Sequence, residues 1–276
     1  MDRTNWGFGH STINFLMICV EWNGIGIPLI WTLLPKAGNS NTGERIALFD
    51  RLADTFPDMQ IAALTGDREF IGDAWMAALV ERKIPFDLRL RENQYVQRKG
   101  HAEMTIATIA QNLKPGESLV LKGPCRLGRG AKAPAIRLVI LKLATGELLA
   151  LATSATPRHA LARYRARWRI ECLFANLKSK GFDLEATHLT QLAKLSTLMA
   201  LLALAVALAA KSGAAAHRQK PIPVKKHGRM AQSLFALGRA IFCKTLASSD
   251  PALVTQFLCQ ILENATPGRQ PKQIKV

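Results

Sequence analysis

The sequence predicts a mixed α/β fold, and three observations carry that prediction. Short β-rich apolar runs alternate with helical patterns over the first 90 residues. Hydrophobic residues make up 49% of the chain, so it has the material for a core. Glycine and proline, 19 and 13 residues, stand at ordinary globular levels. At 276 residues the chain has room for one large domain, or for a core carrying an insertion or a helical appendage.

Taken in order, the opening MDRTNWGFGH has no signal-peptide hydrophobic region. STINFLMICVEW and GIGIPLIWTLLP are apolar, β-rich runs flanking Asn23-Gly24, a hairpin signal. NTGERIALFDRLADTF reads as a helix with Thr42 as its N-cap. MQIAALTGDREF stops at Gly66-Asp67, as a buried strand does at its carboxyl end. DAWMAALVERK is helical again, and IPFDLRLREN is a strand opened by a proline. The order to this point is β-β-β-α-β-α-β.

From about Asn93 to Thr153 the character turns to β. SLVLKG and IRLVILKLATGELLALATS are strand-like, with Thr145-Gly146 at the second turn. The basic, Gly-rich GPCRLGRGAKAP between them reads as a hairpin connection, because it lacks the spacing of a phosphate-cradling loop. After Pro157 a long helical pattern runs to about Lys180. LMALLALAVALAA, Leu198 to Ala210, then forms part of a long Ala/Leu-rich helix. Its apolar run is short of the roughly 18–20 residues needed to span a bilayer, so it is expected to pack against protein. HRQKPIPVKKHGR is a Pro-broken basic linker, followed by two helical stretches and a basic tail.

Charge narrows the function. Lys plus Arg is 37 against 20 for Asp plus Glu, a net +17, which argues for a polyanionic partner, nucleic acid ahead of a membrane surface. The five cysteines, Cys19, Cys125, Cys172, Cys243 and Cys259, are scattered with no metal-ligand spacing. A zinc site and a disulfide scaffold are both disfavoured, and a cytoplasmic location is expected.

The segment ALARYRARWRIECLFANLKSKGF carries the chemistry. As a helix it places Ala166, Ile170, Leu173 and Leu177 on one apolar face. At about 100° per residue, Arg167, Glu171 and Lys178 fall within about 60° of Tyr164, beside that face. One acidic residue is thus presented among cations and a phenol. Trp168, on the same helix, is expected to pack in the core.

That stripe, Tyr-x2-Arg-x3-Glu-x6-Lys, resembles the signature of bacterial insertion-sequence transposases of the DDE class, the IS-four family. DREF at 67–70 resembles the second-aspartate motif of that family, DRTNWGFG at 2–9 its first, and GIGIPLIWTLLPKAGNSNTGERI the text between them. The resemblance spans roughly residues 2–205. It implies a ribonuclease-H-like catalytic core with a β-rich insertion and C-terminal helices. The divisions are 1–90 and 154–210 for the core, 91–153 for the insertion and 211–276 for a basic linker and helical region. It implies Asp2, Asp67 and Glu171 as catalytic residues and metal ligands for two Mg²⁺ ions, with Mn²⁺ able to substitute. Hard divalent cations take carboxylate oxygens and leave room for phosphate.

By the same resemblance Tyr164 and Arg167 contact the DNA backbone and Lys178 holds a phosphate near the cut. Arg68 and Glu69 are expected to make local ion pairs. Relatives often free their ends through a hairpin, with a flipped base stacked on an aromatic residue of the insertion, and Tyr95 is the only Trp or Tyr within 91–153. The implied partners are double-stranded DNA, both transposon ends and target, and a second subunit in a homodimeric synaptic complex. The implied location is the bacterial nucleoid, with no membrane. Because Asp2 follows only the initiator methionine, the chain is expected to be N-terminally truncated. The alternative is an inactive truncated transposase that binds DNA or full-length subunits.

Overall fold

A computed structural model describes residues 1–8, 11–128, 133–248 and 250–263. Gly9 of the first motif, residues 129–132 of the Gly-rich loop and the basic tail from residue 264 lie outside the described residues.

Strands β1 (Asp2–Phe8), β2 (Ser11–Trp22) and β3 (Ile25–Leu34) form an antiparallel meander. The turn between β2 and β3 has Asn23 and Gly24 at φ 49° and 78°, the left-handed pair that matches the twist of a tight hairpin. Helix α1 (Thr42–Thr55) follows. Its cap is Asn41 and not Thr42: the Asn41 side chain accepts from the Glu44 amide, and Glu44 reaches back to the Asn41 amide. Thr42 is the first helical residue, and the reciprocal pair outcompetes it because it satisfies two orphan N–H groups at once.

Strand β4 (Leu64–Gly66), helix α2 (Asp73–Glu81) and strand β5 (Phe86–Leu90) form a β-α-β unit, with β4 and β5 parallel. The Met1 main-chain nitrogen donates to the Thr65 carbonyl at 2.8 Å, so the start of β1 meets β4. The layer therefore runs β3-β2-β1 and then β4-β5, the ribonuclease-H-like arrangement.

A small sheet of β6 (Tyr95–Gln97), β7 (Met104–Thr105) and β9 (Arg126–Leu127) comes next, along with the short helix α3 (Ile106–Ile109) and strand β8 (Ser118–Val120). Strands β10 (Arg137–Lys142) and β11 (Leu148–Thr153) pair as a hairpin. β11 lies antiparallel on β5 and β10 on β8, extending the β4-β5 sheet.

Helices α4 (Ala160–Ala166) and α5 (Trp168–Ala175) are continued by a π turn at Asn176–Lys180. The single long helix expected to Lys180 is thus changed in pitch twice. At Arg167 the amide bonds to the Tyr164 carbonyl, three residues back, which tightens the turn. Helix α6 (Leu192–Gln219) is 28 residues long. It is long and apolar enough to cross a membrane by length and composition. Here its inner side, with Leu195, Met199, Val206 and Ala209, is buried in protein. Helices α7 (Leu234–Ala247) and α8 (Pro251–Glu263) complete the described chain.

Both faces of the meander are covered. Along β2, Leu16 and Ile18 point into one cluster with α1 and α2, while Ile13, Phe15 and Met17 point into another with α5 and α6. That period-two division makes β2 continuously apolar, as a strand buried on two sides must be. The carboxyl end of β4, the start of β1 and α5 thereby converge at one place.

Candidate active site

Asp2 opens β1, Asp67 follows the last residue of β4, and Glu171 lies in the first turn of α5. Arg167, at the junction of α4 and α5, stands among them. One of its terminal nitrogens donates to Asp2 Oδ2 at 2.8 Å and the other to Glu171 Oε1. Asp67 also acts on the Arg167 guanidinium electrostatically. Burial alone would lower the Arg167 pKa, but Tyr164, Asp2, Asp67 and Glu171 together raise it above the ordinary value. Burial raises the Asp2 carboxyl, and the nearby Asp67 charge adds to that, against the opposing pull of Arg167 and the Arg3 amide. Two carboxylates close together each disfavour the other's ionisation.

The donor set suits a hard divalent cation by its chemistry, since carboxylate oxygens are what Mg²⁺ takes. Asp67 Oδ1 is buried and has no hydrogen-bond partner. An unpaired buried carboxylate oxygen is costly and calls for a cation or donor. Among the described residues no three His, Cys, Asp or Glu side chains converge closely enough to share one ion. In this arrangement the Arg167 guanidinium takes up an oxygen from each of Asp2 and Glu171.

The other expected residues fall nearby, in differing environments. The Tyr164 ring is buried against Val139, Leu151 and Ala160, 5.7 Å from the Arg167 guanidinium, and burial pushes its hydroxyl pKa up. Lys178, in the π turn, donates to the Asn5 carbonyl at 2.6 Å, tying that turn to β1. Trp168 is 60% exposed. The core role expected for it is corrected: at about 100° per residue Trp168 lies roughly opposite the apolar face of Ala166, Ile170, Leu173 and Leu177, which turns it outward. The ion pairs expected locally at Arg68 and Glu69 are long-range instead. Arg68 meets Glu147 at 2.5 Å and Glu69 meets Arg3 at 2.9 Å.

Sequence reasoning missed the groups that hold this geometry. Arg3 donates to both oxygens of Glu69 and also to Asn5, Asn14 and Asn39, so the residue after Asp2 is fastened to the turn after Asp67. Arg45, buried, donates to the Ser40 and Glu69 carbonyls. Arg163 makes a two-nitrogen pair with the fully buried Asp87, at 2.6 and 2.9 Å, locking α4 to β5. A signal for Arg163 existed in the alternating arginines, and one for Arg3 in its place beside Asp2. Nothing in spacing announced their partners, which lie 66 to 76 residues away.

A family model described as Transposase DDE domain matches residues 2–208, a span that takes in all three carboxylates, Arg167 and Lys178. Among proteins of curated function, none matches the chain.

Proposed function

The chain belongs to the transposase DDE-domain family, and on that premise we propose that it is the catalytic part of an IS-four-type insertion-sequence transposase, cutting and rejoining double-stranded DNA. A transposase acts on DNA, and DDE domains generally depend on divalent metal. The finer reading is phosphodiester hydrolysis followed by strand transfer, at a site formed by Asp2, Asp67 and Glu171. The observation that carries it is one guanidinium bonding both Asp2 and Glu171, with Asp67 near enough to act on it electrostatically and Asp67 Oδ1 buried and unpaired.

Asp2, Asp67 and Glu171 would hold the metal, two Mg²⁺ ions or Mn²⁺ in their place. When bound, it supplies activation of the attacking oxygen and charge stabilisation at the leaving one. Arg167 would give up its carboxylates and turn to the DNA backbone, keeping its packing on Tyr164. Lys178, already beside β1, would hold a phosphate next to the cut. Glu69 and Arg3 keep Asp2 and the Asp67 turn at a constant spacing, which matters because small displacements of catalytic groups are costly. Residues 91–153 act as an insertion and 211–276 as a C-terminal region on the core 1–90 and 154–210, in a homodimer at the bacterial nucleoid.

Cleavage of a duplex carrying the element's end, in Mg²⁺, tests the reading. Asp67→Asn and Glu171→Gln should each abolish cleavage and spare DNA affinity, which comes from counterion release by Lys and Arg. Full activity in either variant removes that residue from the site. A second reading has a specific observation behind it. Arg167 neutralises Asp2 and Glu171 internally, as it would in an inactive chain that only binds DNA or other subunits. Tight DNA binding without metal-dependent cleavage by the unmodified chain would decide for that reading.

A further inference from the structure

The small sheet of β6, β7 and β9 carries a feature that the carboxylate site does not use. A concave groove of about 560 Å³ is lined by Gln97, Arg98, Lys99, His101, Pro124 and Arg126, among others. Its shape follows from two local facts. Gln97 and Arg126 face each other across the β6–β9 pair. After β6 the chain turns back at Gly100, whose φ of 75° only glycine adopts freely, with the His101 amide donating to the Arg98 carbonyl. The strand pair and the turn therefore present Arg98, Lys99, His101 and Arg126 to one hollow.

No carboxylate among the described residues pairs with any of these four side chains. This contrasts with the arginines nearer the carboxylates, where Arg3, Arg68, Arg89, Arg163 and Arg167 each hold an acidic partner. In a concave surface, cations of one sign without internal partners focus field lines and attract an anion of matching extent.

The groove is also placed on the reacting side of the molecule. β5 runs parallel to β4, so both strands leave the sheet at the edge where Asp67 lies, and β6 begins five residues after β5 ends. Glu147, in the β10–β11 turn, pairs with both Arg68 and Arg89 and holds that edge together.

We propose that this groove is a second DNA-contact site, which takes the phosphodiester backbone of the duplex alongside the part being cut, through Arg98, Lys99 and Arg126. The proposal rests on the reading of the chain as a DNA-acting transposase and adds a surface to it. The backbone is engaged by charge and without sequence readout, as phosphate contacts position a protein on DNA but carry no sequence information.

The salt dependence of DNA affinity tests it. Binding of a labelled random-sequence duplex is measured across a salt series for the full chain and two triple variants. The first carries Arg98→Gln, Lys99→Gln and Arg126→Gln. The second carries Lys225→Gln, Lys226→Gln and Arg229→Gln, three exposed cations on the loop before α7. The groove variant should lower the slope of log K against log salt by about 2 to 3, and the loop variant by less than about 1. Circular dichroism and thermal unfolding verify that both fold, and Lys99→Glu alone, in an exposed turn, gives the same direction should the triple variant unfold.

An unchanged slope in a folded groove variant overturns the proposal. So does an equal loss in the loop variant, because affinity would then follow net charge alone. Strand transfer by the unmodified chain is measured alongside. Metal-dependent transfer with an unchanged groove slope refutes the groove alone. A reduced slope without any metal-dependent chemistry leaves the groove standing and refutes the enzymatic reading.

Discussion

At the scale of single residues, the arginines decide where the carboxylates stand. Arg167 bonds Asp2 and Glu171 from two nitrogens of one planar group, a geometry that a lysine could not reproduce. Without metal it is the only cation bonded to Asp2 in the described structure. Arg167→Ala should therefore lower metal-free stability by about 3 kcal/mol, the usual cost of stranding a buried charge. Added Mg²⁺ should then raise the melting temperature of Arg167→Ala more than that of the unmodified chain. Thermal unfolding with and without Mg²⁺ measures both, and equal gains would separate Arg167 from the metal site. Arg3 works one step removed, through Glu69. Arg3→Ala should slow end cleavage by about 10- to 100-fold while leaving the salt slope of DNA binding unchanged, since one lost phosphate contact would lower it by about 0.9. A matching loss in both measurements would assign Arg3 to DNA contact and not to positioning.

At the scale of elements, α5 is held at its distance from the sheet by a glycine. A Cβ on Gly26 of β3 would stand 2.7 Å from the Arg169 carbonyl oxygen and 3.1 Å from its carbon. Both are backbone atoms that yield only if the helix moves, and Glu171 is two residues further along it. Gly26→Ala should destabilise the fold by about 1–3 kcal/mol and reduce cleavage more than DNA affinity. Stability and activity measured on the same preparation check this, and an unchanged cleavage rate would show that α5 accommodates the methyl in place. Helix α1 offers a pH-dependent test at its first turn. Partial burial favours the neutral form of Glu44, but bonds from Lys36 and the Asn41 amide outweigh it and hold the pKa below the ordinary value. A carboxyl depressed on folding stabilises the native state above its unfolded pKa, and that contribution fades as pH falls through the folded one. Glu44→Gln keeps a side chain able to complete the cap but loses the charge. Its destabilisation should be largest near neutral pH and shrink below about pH 4, as followed by denaturant unfolding across pH. A cost independent of pH would mean that the ion pair contributes nothing.

At the scale of the whole molecule, the α/β layering was legible because it rests on local pattern, and the three-motif order through its resemblance to a known family. Apolar, β-rich runs mark β2 and β3, a strand stops before Asp67, and a helical apolar face runs beside Glu171. What was not legible depends on partners far away in the chain. The Arg3–Glu69 and Arg163–Asp87 pairs join residues 66 and 76 positions apart, which no periodicity records. The exposure of Trp168, by contrast, was legible, since a uniform 100° wheel already sets it about 170° from the centre of the apolar face. The cap moved from Thr42 to Asn41 because both are good capping residues and only the reach of Glu44 separates them. The account as a whole stands on Asp2, Asp67 and Glu171 acting together as a metal site. The most direct measurement is Mn²⁺ bound per chain, by electron paramagnetic resonance in the presence of end DNA, for the unmodified protein and for Asp67→Asn and Glu171→Gln. Saturable binding in the unmodified chain, weakened at least tenfold in both variants, is the predicted result. Equal binding in all three proteins would contradict the account, because the carboxylates would then hold no metal.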